Sequence, residues 1–89
     1  MGEAKQFLGE IENSETKVIE SVMERLAGLE ELLLIVEDAA LSAKIKNEML
    51  ELHQQCNNWW KTLLFSHGWD VNPNTRWEVD YQENKVWIY

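Results

Sequence analysis

The chain has 89 residues, 16 acidic against 8 basic side chains, a formal net charge of −8 and a single cysteine. So negative a chain repels DNA, RNA and anionic lipid at long range, which argues against direct nucleic-acid or membrane binding. One cysteine, Cys56, makes no intrachain disulfide, so the expected setting is a reducing one, the cytoplasm.

Apolar residues make up 45% of the chain, enough for one modest core. A domain of this size buries roughly 60–65% of the surface its unfolded chain exposes. Two long helices in so short a chain leave apolar surface over, and a homodimer or higher oligomer is expected. The longest apolar run, Leu32 to Val36, falls well short of the roughly 18 residues of a membrane span. No basic stretch followed by an apolar one opens the chain as a secretory signal would. Met1-Gly2 begins like an acylation signal, but Gln6 stands where Ser or Thr is needed.

Charge divides the chain in three. Residues 1–40 carry ten acids and three bases, residues 41–68 two acids and three bases, and residues 69–89 four acids and two bases. These segments read as an N-terminal turn with an acidic helix, a second helix, and a linker with a β-hairpin, all in one domain. Phe7, Leu8 and Ile11 read as an early helical turn, or as the start of the first long helix. Asn13, Ser14 and Thr16 offer N-caps for that helix, which runs to about Val36 or Ala39. Val18, Val22, Leu29, Leu32 and Val36 follow the spacing of a packed stripe, interrupted by Arg25 and widened by Ile19, Met23, Leu26 and Leu33. A face so broad contacts more than one neighbour.

Asp38 to Ser42 is the expected turn, with Asp and Ser able to bond free amides and Ser42 a candidate cap. One kinked helix through this point is the competing reading. In the second helix, Ile45, Met49, Leu52, Cys56, Trp59 and Leu63 alternate steps of four and three, with Leu50, Trp60 and Leu64 beside them. The helix is predicted to stop at His67-Gly68, where Gly takes a left-handed cap. The expected pairing sets Val22, Leu29 and Val36 against Ile45, Leu52 and Trp59. After the turn-rich link Asp70 to Thr75, Trp77, Val79 and Tyr81 alternate with polar residues as a strand does. Gln82 to Lys85 reads as the bend, with Asn84 at positive φ, and Val86 to Tyr89 as the return strand. The predicted class is α+β, mainly α: an antiparallel two-helix hairpin followed by a C-terminal β-hairpin. An isolated hairpin is marginal in water, so Trp69, Trp77 or Trp87 is expected to face the helices.

Catalysis is disfavoured. There is no phosphate loop, Ser-His-Asp arrangement, Cys-x-x-Cys or zinc-protease motif. His53 and His67 lie roughly 21 Å apart along one helix and cannot share a metal. His53 and Cys56 are two ligands where a structural zinc site takes four, so no metal or cofactor is expected. Glu30-Glu31 and Glu37-Asp38 sit on a solvated helix face rather than in a pocket that tunes a carboxylate. Glu3, Glu10, Glu24, Glu31 and Asp38 share one heptad position, broken by Lys17. That row is either a solvated face or an acidic strip for a basic partner. The five tryptophans, Trp59, Trp60, Trp69, Trp77 and Trp87, all lie in the last third. Some must build the core there, and the others can form an aromatic binding surface.

His67-Gly68-Trp69-Asp70, Trp77-Glu78-Val79-Asp80 and Asn84-Lys85-Val86-Trp87 together resemble the ends of small proteins encoded by bacteriophages and prophages. The resemblance covers about 25 residues. It implies an accessory role, such as inhibition of a host defence or help in virion assembly, and assigns no residue. The expected function is thus a non-enzymatic phage-type protein that inhibits or adapts a host protein with a basic surface. The contacts expected are Glu20, Glu24, Glu31 and Asp38 on the acidic helix and Trp60, Trp69 and Trp87 as exposed aromatics. The alternatives are an oligomeric sponge for a small nucleotide, stacking Trp and Tyr rings, and a virion or scaffolding component.

Overall fold

Few residues before Gly68 break a helix, and two long helices form. The computed structural model describes residues 4–89, in the order β1 (Gln6–Glu10), α1 (Asn13–Ile35), α2 (Ala39–His67), β2 (Trp77–Asp80) and β3 (Lys85–Ile88). Met1, Gly2 and Glu3, and with them the first member of the acidic row, lie outside the described residues.

α1 starts one residue before the predicted caps. Glu12 is its N-cap, and the Glu12 N–H donates to Glu15 Oε1 at 2.9 Å, the return half of a capping box. Thr16 is buried instead, its hydroxyl donating back to the Glu12 carbonyl at 3.3 Å. The helix ends at Ile35, and the chain turns over residues 36–38, so the two helices are separate. Asp38, not Ser42, caps α2: its Oδ1 accepts from the N–H groups of Ala40 at 2.8 Å and Leu41 at 3.2 Å. Asp38→Ala is therefore expected to lower stability by about 1 kcal/mol, read as a lower urea midpoint at unchanged slope. α2 ends as predicted. Gly68 sits at φ 67°, with its N–H on the Phe65 carbonyl and the Trp69 N–H on the Leu64 carbonyl. These bonds satisfy the last carbonyls of the helix.

The C-terminal hairpin also forms where alternation placed it. Asp80 Oδ1 accepts from the N–H groups of Gln82 and Glu83, and Asn84 takes φ 57°. It is part of a larger sheet, however. The expected helical turn at Phe7, Leu8 and Ile11 is not there: residues 6–10 are β1, which pairs antiparallel with β3. The antiparallel sheet order is β1-β3-β2, with a bulge between Phe7 and Gly9. Three apolar residues over so short a stretch support helix and strand about equally. The unpaired edge of β3 decides, because it offers backbone partners that an isolated turn lacks.

The sheet lies on one side of the helical hairpin. One core joins Ile11, Ile19, Leu26, Leu52, Cys56, Trp60, Leu63, Leu64, Val79 and Val86. The helices pair antiparallel as predicted, but the buried centre of α1 is Ile19 and Leu26 rather than Val22, Leu29 and Val36. Those three are half-buried at one flank, where Val18 and Leu32 remain 55% and 40% exposed. On α2, Trp60 and Leu64 lie deeper than Trp59 and Met49 because the sheet covers their side of the helix. Arg25 and Glu48 form an ion pair across the two helices.

Candidate binding surfaces

The three tryptophans expected at an exposed aromatic end have three different fates. Trp60 is 1% exposed, with its ring stacked on Trp77 at 5.3 Å and 13°, so it is core and not a partner contact. Trp59 also meets Trp77 and donates its Nε1–H to the Glu15 carbonyl at 3.2 Å, tying α2 to α1. Trp69 is half-buried and turned inward. It stacks on His67 at 4.5 Å and presses on Gly9 of β1. His67 Nε2 in turn lies 3.0 Å from Glu15 Oε1. Trp69 thus fastens the end of α2 to β1.

Only Trp87 lies on the sheet's outer face. Side chains alternate across a strand, so Phe7, Trp87 and Glu78, which are register partners, share the side away from the helices. Val79 and Val86 face inward and are buried. Phe7 and Trp87 are 5.1 Å apart in a tilted pair, and Lys5 Nζ stands 5.6 Å from the Trp87 ring centre. The next row adds Tyr89, with the Arg76 guanidinium 5.2 Å over its ring. Glu78 joins the rows: it pairs with Lys5 at 2.9 Å and accepts the Tyr89 hydroxyl. Those two partners hold the Glu78 carboxyl below the usual carboxylate range, the Tyr89 bond being the larger cause. Glu78 likewise raises Lys5 and Tyr89. The trio is complete between the ordinary carboxylate and phenol ranges; its contribution is lost as pH falls through the lowered Glu78 value, and again as pH rises through the raised Tyr89 and Lys5 values. Phe7 is 46% and Tyr89 39% exposed, so the face presents aromatic surface to solvent.

The acidic row is shorter than its sequence spacing suggested. Glu24 and Glu31 are exposed on α1. Glu20 is half-buried near Tyr81, whose phenol is raised first by burial and then by the charges of Glu20 and Glu24. Asp38 is engaged as the cap of α2.

A groove of about 390 Å³ opens between the helices and the edge of the sheet, over Trp77. Met23 and Glu30 line it from α1, and His53, Cys56 and Asn57 from α2. Cys56 is buried, and burial raises its thiol, which makes it a packing residue rather than a nucleophile. Among the described residues no three His, Cys, Asp or Glu side chains gather where they could hold a metal ion.

Phe7, Tyr89, Lys5 and Arg76 were not among the predicted contacts. Trp87 and Tyr89 stand two apart, which is the strand signal that puts both on one face. Phe7 joins them only through the pairing of β1 with β3.

Fold and surfaces together define a mainly helical α+β protein, a helical hairpin backed on one side by a three-stranded antiparallel sheet whose outer face is aromatic. No family model, no curated protein and no solved structure matches the chain. Among the described residues no helix is long and apolar enough to cross a membrane.

Proposed function

We propose that this is a non-enzymatic protein-binding module, a cytoplasmic accessory protein of the phage type that inhibits or adapts a host protein with a basic surface. The observation that carries the reading is the outer sheet face, where Phe7, Trp87 and Tyr89 stand together partly exposed and braced by Lys5, Arg76 and Glu78. Aromatic side chains held in place supply the desolvated contacts that dominate most interfaces. The acidic helix has a different task. Glu24 and Glu31 lie about 10.5 Å apart along the helix, wider than the phosphate spacing of a DNA strand, so the row attracts by charge and does not imitate a nucleic acid.

Affinity capture of the host partner with the native chain comes first, followed by binding kinetics. Glu24→Lys with Glu31→Lys is expected to slow association at low salt several-fold and to flatten its salt dependence, with the melting curve unchanged. Trp87→Ala is expected to speed dissociation by ten-fold or more, about 1.4 kcal/mol or above. An unchanged association rate for the reversed-charge protein would reduce the acidic row to a solvated helix face. The groove over Trp77 favours a second reading, a small-nucleotide sponge with the base stacked on that indole. Calorimetry with cyclic nucleotides distinguishes the two: heat that saturates and disappears in Trp77→Leu supports the sponge.

A further inference from the structure

β3 is the central strand, so β1 and β2 each keep one side unpaired, and the two free edges differ. The bulge between Phe7 and Gly9 breaks the β1 edge, a device that spoils an edge for further pairing. β2 runs from Trp77 to Asp80 in unbroken register with β3. The Tyr89 N–H donates to the Arg76 carbonyl, so Arg76, Glu78 and Asp80 turn their backbone groups toward β3. Trp77 and Val79, one residue out of phase, turn theirs to the outer edge. Among the described residues nothing pairs with the backbone N–H and C=O groups of Trp77 and Val79 on that side.

The helices extend past this edge. β1 lies by Trp69 and the Glu15–His67 pair, at the open end of the helical hairpin. Tyr81, just after β2, lies near Glu20 and Glu24, further along α1. Met23, Ala27 and Glu30 come next toward the hairpin turn, with His53 on α2. They line the groove of about 390 Å³, and Trp77 is its wall on the sheet side. Among the described residues no strand covers them. Neighbouring strands stand about 4.8 Å apart, so the groove lies where a fourth strand would.

We infer that an extended segment of the protein partner adds to the outer edge of β2 as a fourth, antiparallel strand and fills this groove. The unpaired backbone groups select the form of the occupant. They recur at every second residue, about 7 Å apart, a spacing that extended backbone matches. The groove selects its side chains. Residues directly opposite each other share a face, so those facing Trp77 and Val79 point onto Met23 and Ala27 and are apolar. The residues between them stand on the outer face beside Glu78 and Asp80, and are basic. The same two carboxylates disfavour a second copy of the chain. Antiparallel pairing of β2 with β2 would set acidic side chains opposite each other on one face, which is destabilising.

The inference rests on the reading of the chain as a protein-binding module. Its test needs neither the host protein nor the aromatic sheet face, so the two fail separately. The probe is the peptide acetyl-Lys-Val-Lys-Val-Lys-Val-Lys-amide, titrated into the native chain and read by NMR and amide hydrogen exchange. Exchange at Trp77 and Val79 is expected to slow by about ten-fold or more at saturation, with the outer amides of β1 unchanged. N-methylation of the valines, whose N–H groups would point at β2, is expected to weaken binding by about ten-fold or more. The same modification on the lysines, whose N–H groups would point away, is expected to weaken it far less. Glutamate in place of every lysine should abolish binding. Ala27→Trp fills the groove from an exposed position and should block the peptide with the melting curve unchanged. Should that variant fail to fold, the two methylated peptides still decide. Unchanged exchange at Trp77 and Val79 overturns the inference, as do methylated peptides that bind alike or a glutamate peptide that binds as well. Protection of these amides in the concentrated native chain without peptide also overturns it, by assigning the edge to a second copy.

Discussion

Trp60→Ala is expected to lower the unfolding free energy by about 3–5 kcal/mol, the cost of removing a fully enclosed indole. Trp60 is 1% exposed and is the largest side chain so completely buried. It fills the junction between α2 and the sheet, stacked on Trp77, so the cavity would lie where the two layers meet. A small domain has only about 5–15 kcal/mol in total, and each kilocalorie moves the melting temperature by about 4–8 °C at this length. The variant should therefore melt at least 12 °C lower, or not fold at 37 °C. Among the described residues the Trp60 Nε1–H has no hydrogen-bond acceptor. Trp60→Phe removes that unsatisfied donor while keeping most of the ring, so it should cost clearly less than Trp60→Ala. Calorimetric melting of both proteins checks the pair. A loss below about 1 kcal/mol for the alanine variant would contradict the burial of this residue.

The second large effect is expected at Gly9. A Cβ added there would stand 2.4 Å from Cζ2 of Trp69, with two further ring atoms at 3.1 and 3.3 Å. The indole has little room to yield, because it is stacked on His67 and His67 is held by Glu15. Gly9→Val should thus cost about 1–3 kcal/mol through overpacking. The damage should concentrate in β1, whose pairing with β3 brings the strand under Trp69. Hydrogen exchange is expected to show lost protection along β1 and the facing amides of β3, with the helices little changed. In a Trp69→Ala background the same substitution should cost much less, a coupling that a double-mutant cycle measures. Equal costs in the two backgrounds would mean that Trp69 is not the obstacle. Because β1 carries Phe7, Gly9→Val should also weaken capture of a partner that uses the outer sheet face.

Local chemistry determined a large part of this protein. The helix stop at Gly68, the positive φ of Asn84 and the alternation of Trp77 and Val79 depend on a few neighbouring residues, and each stands where the sequence predicts it. The break between the helices was legible for the same reason, since Asp38 needs only the amides of Ala40 and Leu41, two and three residues on, to cap α2. Tertiary structure decided the rest. β1 is a strand because β3, nearly eighty residues on, offers it an edge. Trp59 and Trp60 differ by about 100° around one helix. Periodicity gave the seam to Trp59, and the sheet buries Trp60. On α1 the pattern was broad enough for two seams, and the layer packed on one flank selected Ile19 and Leu26 as the inner one. The aromatic surface shifted likewise, from Trp60 and Trp69 to Phe7, Trp87 and Tyr89, because strand register decides which rings share the uncovered side. Spacing along the chain says which residues point together. What covers them is set by contacts between segments far apart in sequence, which no local pattern records.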